Sequence, residues 1–249
     1  MARGFGYIPN SCARGRGRSP SNFVNAAPMI LVYHATRAET LAEIKKNGLT
    51  PRGTARKGNF GIDYASRPEF VYLTRYKARN YALTAARFPR DRVALLEIVL
   101  DDLDRKKCFP DEDSIVFDKM IGEGTFEGPS HESRFAELLL DANPLEFGVE
   151  FERLFEQFGL VAYHGVVPFS TMRRYVVVPF HAVRAFADTL NPFQPAQDNV
   201  PGHRQFGSDS VRFLFDGGDI EGVSRRALRE LAALRKGFKV YAGPRSGPQ

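Results

Sequence analysis

Two short segments end in polar rings where an apolar run gives way to a threonine: LVYHAT, residues 31–36, presents His34, and FVYLT, residues 70–74, presents Tyr72. Apolar, β-branched and aromatic runs of this length read as strands, and strand ends with the loops after them are where binding and catalytic groups are usually built. An imidazole and a phenol so placed can form a two-part clamp on a ligand. A histidine at a strand end also serves as a hydrogen-bonded structural residue; the second, similar unit is what singles out His34 with Tyr72. Other chemistries find no support. GEGTFEG, residues 122–128, lacks the lysine and the preceding apolar strand of a phosphate-binding loop. There is no G-x-S-x-G elbow, and the five histidines show neither HExxH nor another recurring ligand spacing, so no metal is expected. Cys12 and Cys108 stand far apart outside any CxxC context, which predicts a reducing, cytoplasmic setting without disulfides.

The rings must be held by the elements around them. After the first strand, Thr36 and Glu39 have the T-x-x-E spacing of a capping box that opens a helix with Leu41 and Ile44 inward. Lys45 and Lys46 suit its last turn, and Gly48 the left-handed position that ends it. Beyond a polar loop at 50–69, Thr74 is placed to cap a helix with Ala78, Tyr81, Ala82 and Ala85 on one side, stopped at Pro89. RVALLEIVLDD, residues 92–102, is apolar on both faces except at Glu97, as a central strand would be. Residues 101–129 read as a long acidic, glycine-rich connection with one short helix near 115–120. Two helices follow, 130–142 capped by Ser130, and 144–159 with Phe147, Phe151, Leu154, Phe155 and Phe158 as a core stripe. LVAYHGVVP and RRYVVVPF are strands; 191–210 is linker-like, VRFLF at 211–215 is a candidate strand, and 224–237 is a helix capped by Ser224. No internal repeat is present, and the pattern predicts an α+β domain with mixed sheets.

The 249 residues suffice for one sizeable core, and 43% hydrophobic with 26% charged residues excludes wholesale disorder. The net charge of +6 is unevenly spread: residues 1–28 carry +4, residues 225–249 carry +6, and the body between is near −4. The expected organisation is a flexible basic arm at 1–28, a domain at 29–190, and a linker, strand and basic helix at 191–249. Met29, just before the first strand, is a second candidate start of translation. A basic head and tail fit either solvated termini or contact with a polyanion such as nucleic acid. No signal peptide and no apolar stretch long enough for a membrane span is read.

YHATRAETLAEIKKNGLTPR, followed by FVYLTRYKARNYA and ALLEIVLDD, resembles the N-terminal half of the ADP-ribosyltransferase fold. That superfamily includes NAD-dependent transferases of the His-Tyr-Glu type and the related RNA 2′-phosphotransferases. LVAYHGVVPFSTMRRYVVV resembles its penultimate strand and Ile-Pro turn, so the likeness spans residues 30 to about 180. It implies a split sheet, mixed or antiparallel, with flanking helices, and NAD as substrate with a protein or nucleic-acid acceptor. It further implies that His34 bonds the NAD ribose, that the backbone beside it at Ala35 holds the nicotinamide amide, that Thr36 adjoins the cofactor, and that Tyr72 stacks on the nicotinamide. Arg37, Arg52 and Arg56 are then placed to meet the pyrophosphate, with solvated loop arginines the equal alternative. The departure is the glutamate: no carboxylate occurs from Phe158 to Tyr175, where the resemblance requires one. Glu137 is the first candidate for that catalytic role, Glu97 and Glu156 are others, and a glutamate-free site is a further alternative. An RNA 2′-phosphotransferase ranks lower because Tyr33, not arginine, precedes His34. A non-catalytic nucleic-acid or protein-binding module is the third reading.

Overall fold

A computed structural model describes residues 29–53, 67–85, 91–125, 131–194 and 201–244. The arm at 1–28, Arg56, Pro89 and Ser130 lie outside them. Among the described residues seven strands form one sheet: β1 (Leu31–Arg37), β2 (Phe70–Thr74), β3 (Arg92–Val99), β4 (Cys108–Phe109), β5 (Leu160–His164), β6 (Met172–Pro179) and β7 (Lys239–Ala242). Their order is β4-β5-β2-β1-β3-β6-β7, and every neighbouring pair is antiparallel, so the sheet is not mixed. Among the described residues eight α-helices flank it: α1 (Leu41–Asn47), α2 (Ala78–Ala85), α3 (Glu112–Glu123), α4 (His131–Asp141), α5 (Phe151–Phe158), α6 (Phe180–Leu190), α7 (Pro201–Asp216) and α8 (Arg225–Arg235). The architecture is α+β.

Strand alternation sorts the core into two layers. Tyr33, Ala35, Val93, Leu95, Val176 and Val178 face α2, α6, α7 and α8, where Phe186, Phe213 and Phe215 meet them. Val32, Ala94, Leu96, Ile98 and Val177 face the other way, against Ile44 of α1 and Phe151 and Phe155 of α5. Both faces of β3 are therefore covered, which is why its text is apolar almost throughout. A third cluster joins Ile115, Val116 and Met120 of α3 to Leu138 of α4 and to Leu154 and Phe158 of α5. Each fully buried aliphatic or phenylalanine side chain stabilises by roughly 1.5–3 kcal/mol relative to its exposed state.

The middle of the sheet is its weakest joint. β1 pairs with β3 along its whole length, and β2 with β5 along its whole length, yet β1 meets β2 at one pair, Tyr33 with Thr74. Several local expectations change. The T-x-x-E box does not form: Thr36 is still in β1 and its hydroxyl meets that of Thr40 at 3.1 Å, while α1 begins only at Leu41. The pairing of β1 with β3 extends the strand past the position where a cap would stop it. The acidic connection contains a twelve-residue helix, α3, because Asp111 caps it by accepting from the Asp113 N–H at 2.8 Å. VRFLF is the last part of α7, not a strand: Val211, Phe213, Leu214 and Phe215 fill the layer over β1, β3 and β6. A five-residue apolar run cannot by itself distinguish the two states. Residues 144–159 divide at Glu150 into a 3₁₀ segment (Pro144–Glu150), itself kinked at Phe147, and α5.

Candidate functional site

His34 sits on β1 one residue past the pair that joins β1 to β2, so it stands where the two strands part. Its Nδ1 lies 2.9 Å from the carbonyl oxygen of Tyr72, 38 residues further along the chain. A side-chain bond thus takes the place that a backbone ladder bond would occupy in an unbroken sheet. A carbonyl only accepts, so Nδ1 carries the proton and donates it, and in the neutral ring Nε2 is left as an acceptor. Burial lowers the imidazole's tendency to protonate, with the Tyr72 carbonyl bond opposing it in part. The ring is therefore held neutral near pH 7 in one tautomer.

Alternation places Val71 and Leu73 in the same layer as Val32, while Tyr72 turns to the other side of β2. Its phenol donates to Glu112 Oε1 at 2.6 Å and accepts from the backbone N–H of Arg67 at 2.8 Å. Arg67 N–H also approaches Glu112 Oε1 at 3.4 Å, and its guanidinium reaches the Ala142 carbonyl at 3.5 Å. Burial first, and then the charges of Glu112 and Asp111, push the Tyr72 phenol far above the ordinary tyrosine range, so it remains a donor. Phe70 packs near it, with ring centroids 6.3 Å apart.

Glu112 opens α3 between buried Asp111 and half-buried Asp113. Burial raises the protonation tendency of all three, most strongly for Asp111, while Lys77 works against it at Asp111 and Asp113. The first turn of a helix favours negative charge, which offsets part of that burial cost. Tyr81, on α2, is pushed up by burial and then by the same three acids.

The remaining expected residues fall as follows. Ala35 is buried and paired with Leu95, and Thr36 is bonded to Thr40. Arg37, at the exposed end of β1, reaches Glu39 at 3.9 Å. Arg52 donates to the Gly53 carbonyl at 3.4 Å, and Gly53 N–H bonds the Pro68 carbonyl at 3.0 Å, which brings that loop to the start of β2. Arg56 lies outside the described residues. Glu137 is on the exposed side of α4, its side chain 68% accessible and ion-paired with Arg134 at 2.8 Å. Glu156 is likewise exposed, 3.9 Å from Arg75. Glu97 is fully buried in β3, held by Arg173 at 3.0 Å and by Arg174 at 2.7 and 3.1 Å. The tertiary structure thus joins His34 to Tyr72 and gives Tyr72 a carboxylate that sequence reasoning passed over. The available signal was the text PDED at 110–113, an aspartate cap with acids behind it.

No protein-family model matches the chain, and no curated protein matches it. Among solved structures it is similar to EcPltA, with 12% identity and a TM-score of 0.32, over 61% of this chain and 78% of that one. A likeness at that level transfers neither a fold assignment nor an activity.

Proposed function

We propose that the chain is an NAD-dependent ADP-ribosyltransferase with a macromolecular acceptor, its site lying along the joint between β1 and β2. One observation carries the reading: the neutral His34 ring bridges to the Tyr72 main chain where the β1–β2 ladder is reduced to a single pair. Loss of nicotinamide leaves an oxocarbenium-like sugar, so such an enzyme must grip the ribose, orient the leaving ring and favour developing positive charge. His34 Nε2, fixed as an acceptor, suits a ribose hydroxyl. The Tyr72 ring suits the nicotinamide, and Arg37 and Arg52 suit the pyrophosphate. Glu112, at the start of α3, places a carboxyl oxygen against the Tyr72 phenol beside the joint. Exposed Arg225, Arg226 and Arg229 on α8 suit a polyanionic acceptor.

The test is release of nicotinamide and transfer of label from adenylate-labelled NAD to protein, RNA or DNA. His34→Ala and Tyr72→Ala are expected to reduce nicotinamide release by about 100-fold or more. No release by the wild-type protein overturns the reading. Turnover of 2′-phosphorylated RNA would point to the phosphotransferase, and salt-dependent binding of nucleic acid without turnover to the binding module.

A further inference from the structure

We infer that Glu112 is the positioning residue of this site, holding the Tyr72 ring in its working orientation through the phenol. The inference rests on the reading just proposed and gives Tyr72 a carboxylate partner, a role distinct from that of a catalytic glutamate. Tyr72 is tied at both ends: its carbonyl accepts from His34 at 2.9 Å and its hydroxyl donates to Glu112 at 2.6 Å. A phenol-to-carboxylate bond of that length falls in the charge-assisted range. The Arg67 N–H, bonding both oxygens, closes a small ring of groups around the phenol and removes its freedom to swing.

Glu112 is itself immobile. It is 7% exposed, its backbone begins a helix capped by buried Asp111, and that helix is seated through Ile115, Val116 and Met120. β2, which carries Tyr72, is in turn paired with β5 throughout. The contact therefore joins two rigid elements, as a positioned site requires. A carboxylate is an expensive way to anchor a tyrosine merely for packing, since it is buried between two more acids with Lys77 as their opposing cation. An amide or an apolar neighbour would cost less there. The surplus is explained if the ring at its far end must be held for chemistry.

The experiment compares wild type, Glu112→Gln, Tyr72→Phe and the double variant. Glutamine keeps the volume and an accepting oxygen, so folding is preserved and is checked by circular dichroism. Nicotinamide release is measured over a range of NAD concentrations. The expected result is a drop of about tenfold or more in kcat for each single variant, a KM shift under about threefold, and no further loss in the double variant, since the two groups act as a unit. A second readout is independent of activity: the ¹³Cζ resonance of Tyr72, identified by its disappearance in Tyr72→Phe, should move in Glu112→Gln. Wild-type kcat in Glu112→Gln, or losses that multiply in the double variant, overturn the inference. If wild type releases no nicotinamide, the functional reading fails instead, and an unmoved Tyr72 resonance then overturns the tie to Glu112 as well.

Discussion

His34 and Glu112 titrate in opposite senses, and the difference can be measured. The folded state holds the imidazole neutral, below its ordinary range, so the stability linked to it is fully present above about pH 6.5. It is lost as the pH falls through the lowered value. The advantage of wild type over His34→Ala, from urea midpoints, should therefore be larger at pH 8 than at pH 5. For Glu112, whose protonation tendency is raised mainly by burial, the linked stability is present below about pH 4.5 and is lost as the pH rises through the folded value. Glu112→Gln should gain on wild type in urea midpoint between pH 4 and pH 7. The histidine was legible in the sequence because it interrupts an apolar run, although it stands in the middle of β1 and not at the strand end the sequence suggested. Glu112 was not, because its partner Tyr72 lies forty residues earlier and an acidic run reads as solvated until a fold covers it.

Gly48 shows how one element depends on a distant one. Its φ of +78° suits glycine, and a Cβ there would stand 2.7 Å from both the Val166 side chain and the Val167 carbonyl. That crowding arises because Leu49 and Val167 exchange backbone hydrogen bonds at 2.9 and 3.0 Å, which seats the end of α1 on the connection between β5 and β6. Gly48→Ala is expected to destabilise by about 2 kcal/mol, read from chemical denaturation. Elements with strong periodicity were readable in advance. α5 buries Phe151, Leu154, Phe155 and Phe158, and Ser224 caps α8 by accepting from the Ala227 N–H at 3.3 Å. The Thr36 box and the VRFLF segment were misread because local preference there yields to ladder pairing and to packing over the sheet.

Across the molecule, Glu97 fastens the sheet to the C-terminal segment. Arg174 binds Glu97 on one side and Asp216 on the other, with Asp216 Oδ2 at 2.8 Å, and its guanidinium lies 4.7 Å over the Phe215 ring. Tyr33 also points its hydroxyl at Glu97, at 3.5 Å. Glu97→Ala leaves Arg174 partly buried without its main partner and should destabilise by about 3 kcal/mol, measured by thermal or urea unfolding. The same segment cannot be removed to test acceptor binding, because β7 pairs with β6 and Leu231 of α8 is fully buried. Charge reversal serves better. Arg225→Glu, Arg226→Glu and Arg229→Glu together should weaken nucleic-acid binding and flatten its log–log salt dependence by about 0.9 for each phosphate no longer neutralised. Within the described residues no helix is long and apolar enough to cross a membrane.

By itself the sequence determined the apolar strands, the phenylalanine stripe, the polar rings set within two of those strands and the basic cluster near the C-terminus. Each of these is written in residue type and period, which neighbouring positions are enough to express. Only the tertiary structure decided that all seven strands run antiparallel, that β1 and β2 part beside His34, and that Glu112 meets Tyr72. These outcomes depend on contacts between residues far apart in the chain, where burial and pairing geometry, rather than local preference, select among the possible neighbours.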